Sequence, residues 1–356
     1  MRNPDTSELL TTMYLSARLK SARVLRGLSL KELAARTGDD ISLPTLSRYE
    51  RGEVEPNAKK LRQIARALEL SYEYFLREPK EIGEVAYRKK KSLSKKLGEQ
   101  IKEQTRDFLE RFSAVEHTMN VVSKPFPRYG ERITSIEDVA EAASWLRREW
   151  DLGLSPIHSV VDELEAEQIK VFALQTDKSF DGLSSLPNGP EDFIVFNQNL
   201  PIDRQRFTLL HELGHHFLDS LSDDLDHEKV VNRFAGEFAI PAEVMRERVG
   251  SKRKQIHPVE LLELKSEFGL SVAALLYRAK DLQILTDHGF RNAMIGVSQL
   301  GWRKDEPSVF KGRESPSRML ELLGRGIAEE IISQSKAAEL FGMKLGDFRE
   351  VLLKGV

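Results

Sequence analysis

Asp203-Arg-Gln-Arg-Phe-Thr-Leu-Leu-His-Glu-Leu-Gly-His-His-Phe-Leu218 is the stretch from which the rest of this chain is read. Within it, His211, Glu212 and His215 form an H-E-x-x-H pattern. Helical residues four apart lie on one face, about 40° from each other, so two imidazoles at this spacing can grip one metal ion. Glu212 sits about 100° from His211, within reach of a water beside such an ion without ligating the ion itself. Phe207, Leu210, Leu213, Gly214, Phe217 and Leu218 give the helix a broad apolar face, and Asp203 is placed to cap its N-terminus. A helix buried that deeply does not carry two histidines and a glutamate without partners, because unpaired buried polar groups are costly. A metal is the economical partner.

Two histidines need a third protein ligand, with a position left open for water. The chain has no cysteine, so thiolate sites, disulfides and a cysteine nucleophile are all excluded. The next helical stretch, Glu228-Lys-Val-Val-Asn-Arg-Phe-Ala-Gly-Glu-Phe-Ala-Ile-Pro241, offers two glutamates. Glu228 shares a face with Asn232, whereas Glu237 lies about 180° from Glu228, so only one can point at the metal. Periodicity does not choose between them. Four of the eight histidines (His211, His215, His216 and His227) fall in this region, which favours a metal site over scattered core histidines. His216 is expected on the turn after the site, either supporting the site residues from behind or, as the favoured reading, solvated; His227, beside Glu228, is the best substitute ligand if Glu228 does not serve.

With 356 residues, 40% hydrophobic and 31% charged, the chain has room for two or three globular domains. No apolar run approaches the length of a membrane span, and the first residues lack a signal-peptide core, so a cytoplasmic location is expected. Net charge is −2, but residues 1–130 hold 26 Lys and Arg against 18 Asp and Glu, and the remainder is acidic. Only the front end is therefore expected to meet nucleic acid.

Residues 14–76 read as short helices with tight turns. Leu19, Val24 and Leu28 have helical spacing, Ser29 caps a second helix that Gly38 ends, and a third begins near Ser42. A fourth runs from about Ala58 to Leu68, and a last turn covers Ser71 to Leu76. Five small helices at this density match a helix-turn-helix domain. Arg88-Lys-Lys-Lys-Ser-Leu-Ser-Lys-Lys96 then forms a basic run, readable as a solvated face or as a further nucleic-acid contact. A connector helix follows from Leu93 to about Val122, and Pro125, Pro127 and Gly130 mark a boundary. Helices at Ile136–Trp150 and Val160–Glu167, strands at Ile169–Leu174 and Asp192–Asn197, and a turn at Asp181–Ser184 precede the metal helix. This is an α+β arrangement. Phe268–Arg278 reads as a small helical unit, and residues 317–334 and 335–353 each read as a helix. Ser333–Gly342, which has the pattern of the first half of a helix-turn-helix, reads as a packing or dimer element, with a second nucleic-acid contact as the alternative.

Ser29-Leu-Lys-Glu-Leu-Ala34, Thr45-Leu-Ser-Arg-Tyr-Glu-Arg-Gly52 and Pro56 resemble the repressor-type (XRE/Cro) helix-turn-helix family. The resemblance makes the third helix the recognition helix. Leu43, Thr45, Ser47 and Arg48 would face the major groove, while Lys31 and Arg51 reach phosphates of double-stranded DNA. Phe207-Thr-Leu-Leu-His-Glu-Leu-Gly-His215, followed by Glu228-x3-Asn232-x-Phe234-Ala235 and Ile240-Pro241, resembles the ImmA/IrrE metallopeptidase family, as do Asp181–Ser184 and Leu261–Asp281. That resemblance implies a zincin-like fold with Zn2+ (or Mn2+) on His211, His215 and Glu228, and Glu212 as the catalytic base.

The whole reads as a multidomain regulator. Residues 1–80 form an all-α helix-turn-helix domain, 81–130 the basic run and connector, 131–285 an α+β metallopeptidase domain, and 286–356 a helical C-terminal region. The resemblance implies a zinc-dependent endopeptidase acting on a helix-turn-helix repressor, or on itself, in a stress, DNA-damage or mobile-element response. The rival readings are a non-proteolytic regulator and an antitoxin-like binding module, each using the peptidase domain as a sensor. Single-stranded nucleic acid is a further candidate partner as activator, and a second copy of the chain as a homodimer; no membrane partner is expected.

Overall fold

The computed structural model describes residues 6–38, 40–80, 85–89, 93–187, 189–303, 305–307 and 310–354. Three residues of the expected basic run, Lys90, Lys91 and Ser92, lie outside this set, as does Asp39 between the second and third helices. The chain divides into two compact units. One comprises residues 1–82 and 91–111, the other residues 83–90 and 112–356.

The first unit is all-helical. Helices α1 (Thr6–Leu25), α2 (Leu30–Arg36), α3 (Leu43–Glu50) and α4 (Ala58–Ala67) are followed by a 3-10 turn at Tyr72–Leu76. α5 (Lys95–Thr118) lies in this unit as far as Arg111. The short-helix pattern holds, except that the first helix starts well before Tyr14. Each boundary has a local cause. Ser29 and Glu32 form a reciprocal capping box on α2, Ser42 caps α3, Asn57 caps α4 and Ser71 caps the last turn. Leu19, Ala22, Leu33, Ile41, Leu46, Tyr49, Leu61, Ile64, Leu68 and Phe75 close a common core. Arg23 donates to both carboxylate oxygens of Glu50, at 2.6 and 2.7 Å, and so ties α1 to α3. Arg18, 1% exposed, pairs with Glu110 of α5 at 2.9 Å.

The second unit is α+β, as the element pattern predicts. It holds the strand β1 (Val85–Lys89), then α6 (Ile136–Glu149), α7 (Val160–Ala166), β2 (Lys170–Leu174), β3 (Phe180–Ser185) and β4 (Phe193–Asn197). After these come α8 (Ile202–Phe217), α9 (His227–Ala239), α10 (Ala242–Val249), α11 (Pro258–Phe268), α12 (Val272–Asp281) and α13 (Asp287–Gln299). The C-terminal helices are α14 (Arg318–Ala328), α15 (Gln334–Phe341) and α16 (Leu345–Lys354). The four strands form one mixed sheet in the order β1-β3-β4-β2. β2 runs parallel to β4, while β3 is antiparallel to both β4 and β1. α8 lies against β3 and β4, α9 packs on α8 and α6, and the apolar faces of these elements share one core.

Three local expectations are corrected. Asp181–Ser184 is not a turn but the middle of β3, buried throughout. Its glycine serves a close approach instead of a bend, as described below. Asp203 does not cap α8, because the helix begins one residue earlier with Pro201 at the cap position. Its carboxylate instead accepts from Lys265 Nζ at 2.8 Å. Residues 335–353 are two helices, not one, because Gly342 takes a left-handed conformation (φ 83°) that ends α15.

Candidate metal centre

α8 is buried on nearly all sides. Its polar residues survive there because they are partnered. Arg206 binds Glu314 at 2.5 Å and lies over the Phe310 ring, and Gln205 donates to the carbonyls of Gln198 and Leu200. Burial pulls the Arg206 guanidinium below its usual range, and it pushes the Glu314 carboxyl up even though Arg206 and the amides of Val161 and Val160 oppose it.

One turn further along α8, His211 and His215 bring their Nε2 atoms to 3.0 Å from each other. Glu228, at the start of α9, places one carboxylate oxygen 3.6 Å from His211 Nε2 and the other 3.5 Å from His215 Nε2. Among the described residues these three form a group whose ligand atoms lie within 4.8 Å of one another. Two ligands about 2.0–2.1 Å from a tetrahedral metal are about 3.3–3.4 Å apart. The observed spacings bracket that value, and an N2O donor set is of the kind that zinc accepts. The residues therefore fit a single divalent ion.

The geometry depends on how closely α9 approaches α8. A Cβ at Gly214 would stand 3.0 Å from the side chains of Phe234 and Val231 of α9, so a larger residue there would have to push α9 back by a few tenths of an ångström. Asp226 caps α9, accepting from the Lys229 amide, and so fixes where Glu228 begins the helix. Asn232, one turn after Glu228, places its Oδ1 3.0 Å from His211 Nδ1. Glu237, the other glutamate of α9, is engaged elsewhere. It pairs with the buried Arg278 at 2.5 Å and accepts from the Ala242 amide at 2.8 Å. Long-range contacts thus leave Glu228, and not Glu237, beside the two histidines.

Glu212 is fully buried between α8 and β3. Ser184 Oγ donates to its Oε2 at 3.1 Å. A Cβ at position 182 would stand 2.7 Å from Thr208 Cγ2, 3.0 Å from the Val195 carbonyl and 3.1 Å from Glu212 Cγ, so glycine is required there. In the sequence Ser184 and Asn232 stand only as motif members. Their roles as partners of Glu212 and His211 needed the fold, although the four-residue step from Glu228 to Asn232 was a legible hint.

His216 corrects its expectation. It is buried, not solvated, because α8 continues past it and turns its ring about 100° away from His215 toward the sheet. Its Nε2 lies 3.0 Å from Asp192 and its Nδ1 3.1 Å from Ser185 Oγ. Burial alone would raise the Asp192 carboxyl, yet the His216 contact and the nearby Arg128 and Lys170 charges hold it below its usual range. His227 is exposed and stacks on the His215 ring, with centroids 5.0 Å apart, outside the converging ligand atoms.

In the helical unit, Leu43 is 42% exposed at the start of α3, and Lys31, Arg48 and Arg51 are exposed as well. Thr45 and Ser47 are half-buried on the same helix. Arg51 donates to Ser47 Oγ at 2.7 Å and pairs with Glu53 at 2.6 Å, while Arg48 stands 3.5 Å from Glu53. The Arg51 bond holds the Glu53 carboxyl below its usual range. α3 and its C-terminal end therefore present two arginines and a leucine to solvent, with Glu53 as their internal counter-charge.

Two family models match the chain. Residues 19–75 match a helix-turn-helix model, and residues 164–280 match the IrrE N-terminal-like domain of the M78 peptidases. No curated protein and no solved structure matches. No helix among the described residues is long and apolar enough to cross a membrane.

Proposed function

We propose that this chain, which joins an XRE-type helix-turn-helix domain to an IrrE N-terminal-like domain, is a DNA-binding regulator and a zinc-dependent endopeptidase, with manganese as the alternative ion. The observation that carries the reading is the meeting of His211, His215 and Glu228 around one point, with Glu212 one residue from the first ligand. When bound, the ion would polarise the scissile carbonyl and acidify a water. The remaining work belongs to the chain's own residues. Asn232 Oδ1 accepts a hydrogen bond from His211 Nδ1–H and so turns the Nε2 lone pair toward the ion's position. Glu212, held by Ser184, accepts a proton from the attacking water on its carboxylate and delivers it to the leaving amine. Exclusion of bulk water around Glu212, fully buried against β3, strengthens both steps.

The substrate we favour is a helix-turn-helix repressor, or this chain itself, in a DNA-damage, stress or mobile-element response. A DNA-binding domain on the same chain brings the peptidase to the sites where repressors sit. The test is incubation of the full chain with candidate repressors, with and without chelator and single-stranded DNA, read by mass spectrometry. Discrete fragments that disappear with chelator and in Glu212→Gln are expected. Repressors left intact under every condition would overturn the reading.

A further inference from the structure

Glu212 meets the sheet at β3, where Gly182 leaves room for its Cγ and Ser184 binds its carboxylate. An extended polypeptide binds a sheet by adding to an edge as one more strand, about 4.8 Å from its neighbour. A segment presented from the sheet edge to Glu212 must therefore run directly beside β3. One side of β3 is taken by β4, through Gly182↔Phe196, Leu183↔Val195 and Ser184↔Ile194. The other side is taken by β1, through Val85↔Ser185, Ala86↔Ser184 and Tyr87↔Leu183. β1 is the outermost strand, so a peptide added beyond it would lie two spacings, about 10 Å, from β3. β1 is also only five residues long, and its register shifts between Tyr87 and Lys89. A five-residue strand makes few ladder hydrogen bonds, and a register shift of this kind disrupts the ladder locally.

We propose that β1 is the resident occupant of the edge at which an extended polypeptide substrate binds. Residues 85–89 then compete in cis with substrate, and the edge opens only when β1 leaves it. The inference rests on the proteolytic reading above and adds its regulation. A binding-competent state populated at a tenth or less weakens apparent affinity at least about tenfold.

The test needs no turnover. A labelled peptide of residues 83–90 is titrated by fluorescence anisotropy against the full chain and against a chain whose residues 84–90 are replaced by Gly and Ser at equal length. Promoter binding and circular dichroism check that the replaced chain is folded. The replaced chain is expected to bind the peptide at least about tenfold more tightly than the wild type, and a scrambled peptide no better than the wild type does. Hydrogen exchange at Leu183–Ser185 should slow when the peptide is bound. Equal binding by both chains, or by neither, would overturn the inference. A second variant guards against misfolding. Paired antiparallel residues have Cα atoms about 4.5–5.5 Å apart, which is within disulfide range, and the chain has no cysteine of its own. Oxidised Tyr87→Cys/Leu183→Cys should refuse the peptide that its reduced form accepts; a locked chain that still takes it argues equally against the assignment. Peptide binding without any repressor cleavage keeps the edge and sinks the proteolytic reading. Cleavage with no difference in peptide binding does the reverse.

Discussion

His211 Nδ1 and Asn232 Oδ1 stand 3.0 Å apart, joining α8 to α9 beside the converging ligand atoms. The carboxamide oxygen can only accept, so it takes the Nδ1 proton in a hydrogen bond and the Nε2 lone pair faces Glu228 and His215. One turn of α9 thus supplies both the carboxylate and the group that sets the histidine's tautomer. Asn232→Ala is expected to lower metal affinity about 10–100-fold, the range typical of such outer partners. Because Asn232 is only half-buried, the melting temperature of the metal-free chain should change little. Competition with a chromophoric chelator measures the first and calorimetry the second.

Purified chain should carry about one zinc or manganese ion. His215→Ala removes a candidate ligand and should lose the ion, whereas Glu212→Gln should keep it while abolishing repressor cleavage. Elemental analysis of the three proteins decides. Equal metal in the wild type and in His211→Ala/His215→Ala would end the assignment.

Leu43 at the start of α3, Arg48 near its end and Arg51 at its C-terminal cap are all exposed, as is Lys31 on α2. Binding to duplex DNA from the protein's own promoter should weaken steeply with salt as counterions are released. Arg48→Ala should erode sequence preference, and Lys31→Ala should weaken all sequences alike. Titrations at several salt concentrations distinguish the two; no duplex binding even at low salt would leave the domain a protein-contact module.

Glu165, 6% exposed, accepts from the amides of Ser317 and Arg318 and so joins α7 to the start of α14. Burial pushes its carboxyl up to about 7, although those two amides pull the other way. A raised folded-state value means that Glu165 favours the folded chain while it is protonated. That contribution is complete below about pH 4.5 and is lost as pH rises through 7, with a magnitude on the order of 3 kcal/mol. Glu165→Gln should therefore melt higher than the wild type at pH 8, with the gap closing toward pH 5. Melting curves across that interval check the sign.

The basic run begins in β1, with Arg88 and Lys89, and reaches Lys95 and Lys96 at the start of α5. If single-stranded nucleic acid activates cleavage by tracking this run, it must bind the active state more tightly than the resting one. Replacing Lys89, Lys90, Lys91, Lys95 and Lys96 with Gln should leave metal content and promoter binding intact while removing the stimulation. A variant stimulated as well as the wild type would make the run a solvated face.

Spacing along single elements determined much of this protein. The four-residue step from His211 to His215 puts both rings on one face of α8, and Ser29, Ser42, Asn57 and Ser71 mark where helical segments begin. These are short-range properties, written into neighbours a turn apart. What spacing could not determine is which partner each polar group finds across the fold. Glu228 rather than Glu237 reaches the histidines because Gly214 lets α9 lie close on α8 while Arg278 engages Glu237. Asp181–Ser184 is a strand and not a turn, because it pairs with β1 on one side and β4 on the other, and its glycine makes room for Glu212 on the packed face. His216 is buried against Asp192 and Ser185 because β3 and the start of β4 cover that side of α8. A local pattern sets which way a side chain leaves its own helix, but the groups it meets there come from residues far along the chain, and only tertiary packing brings them in.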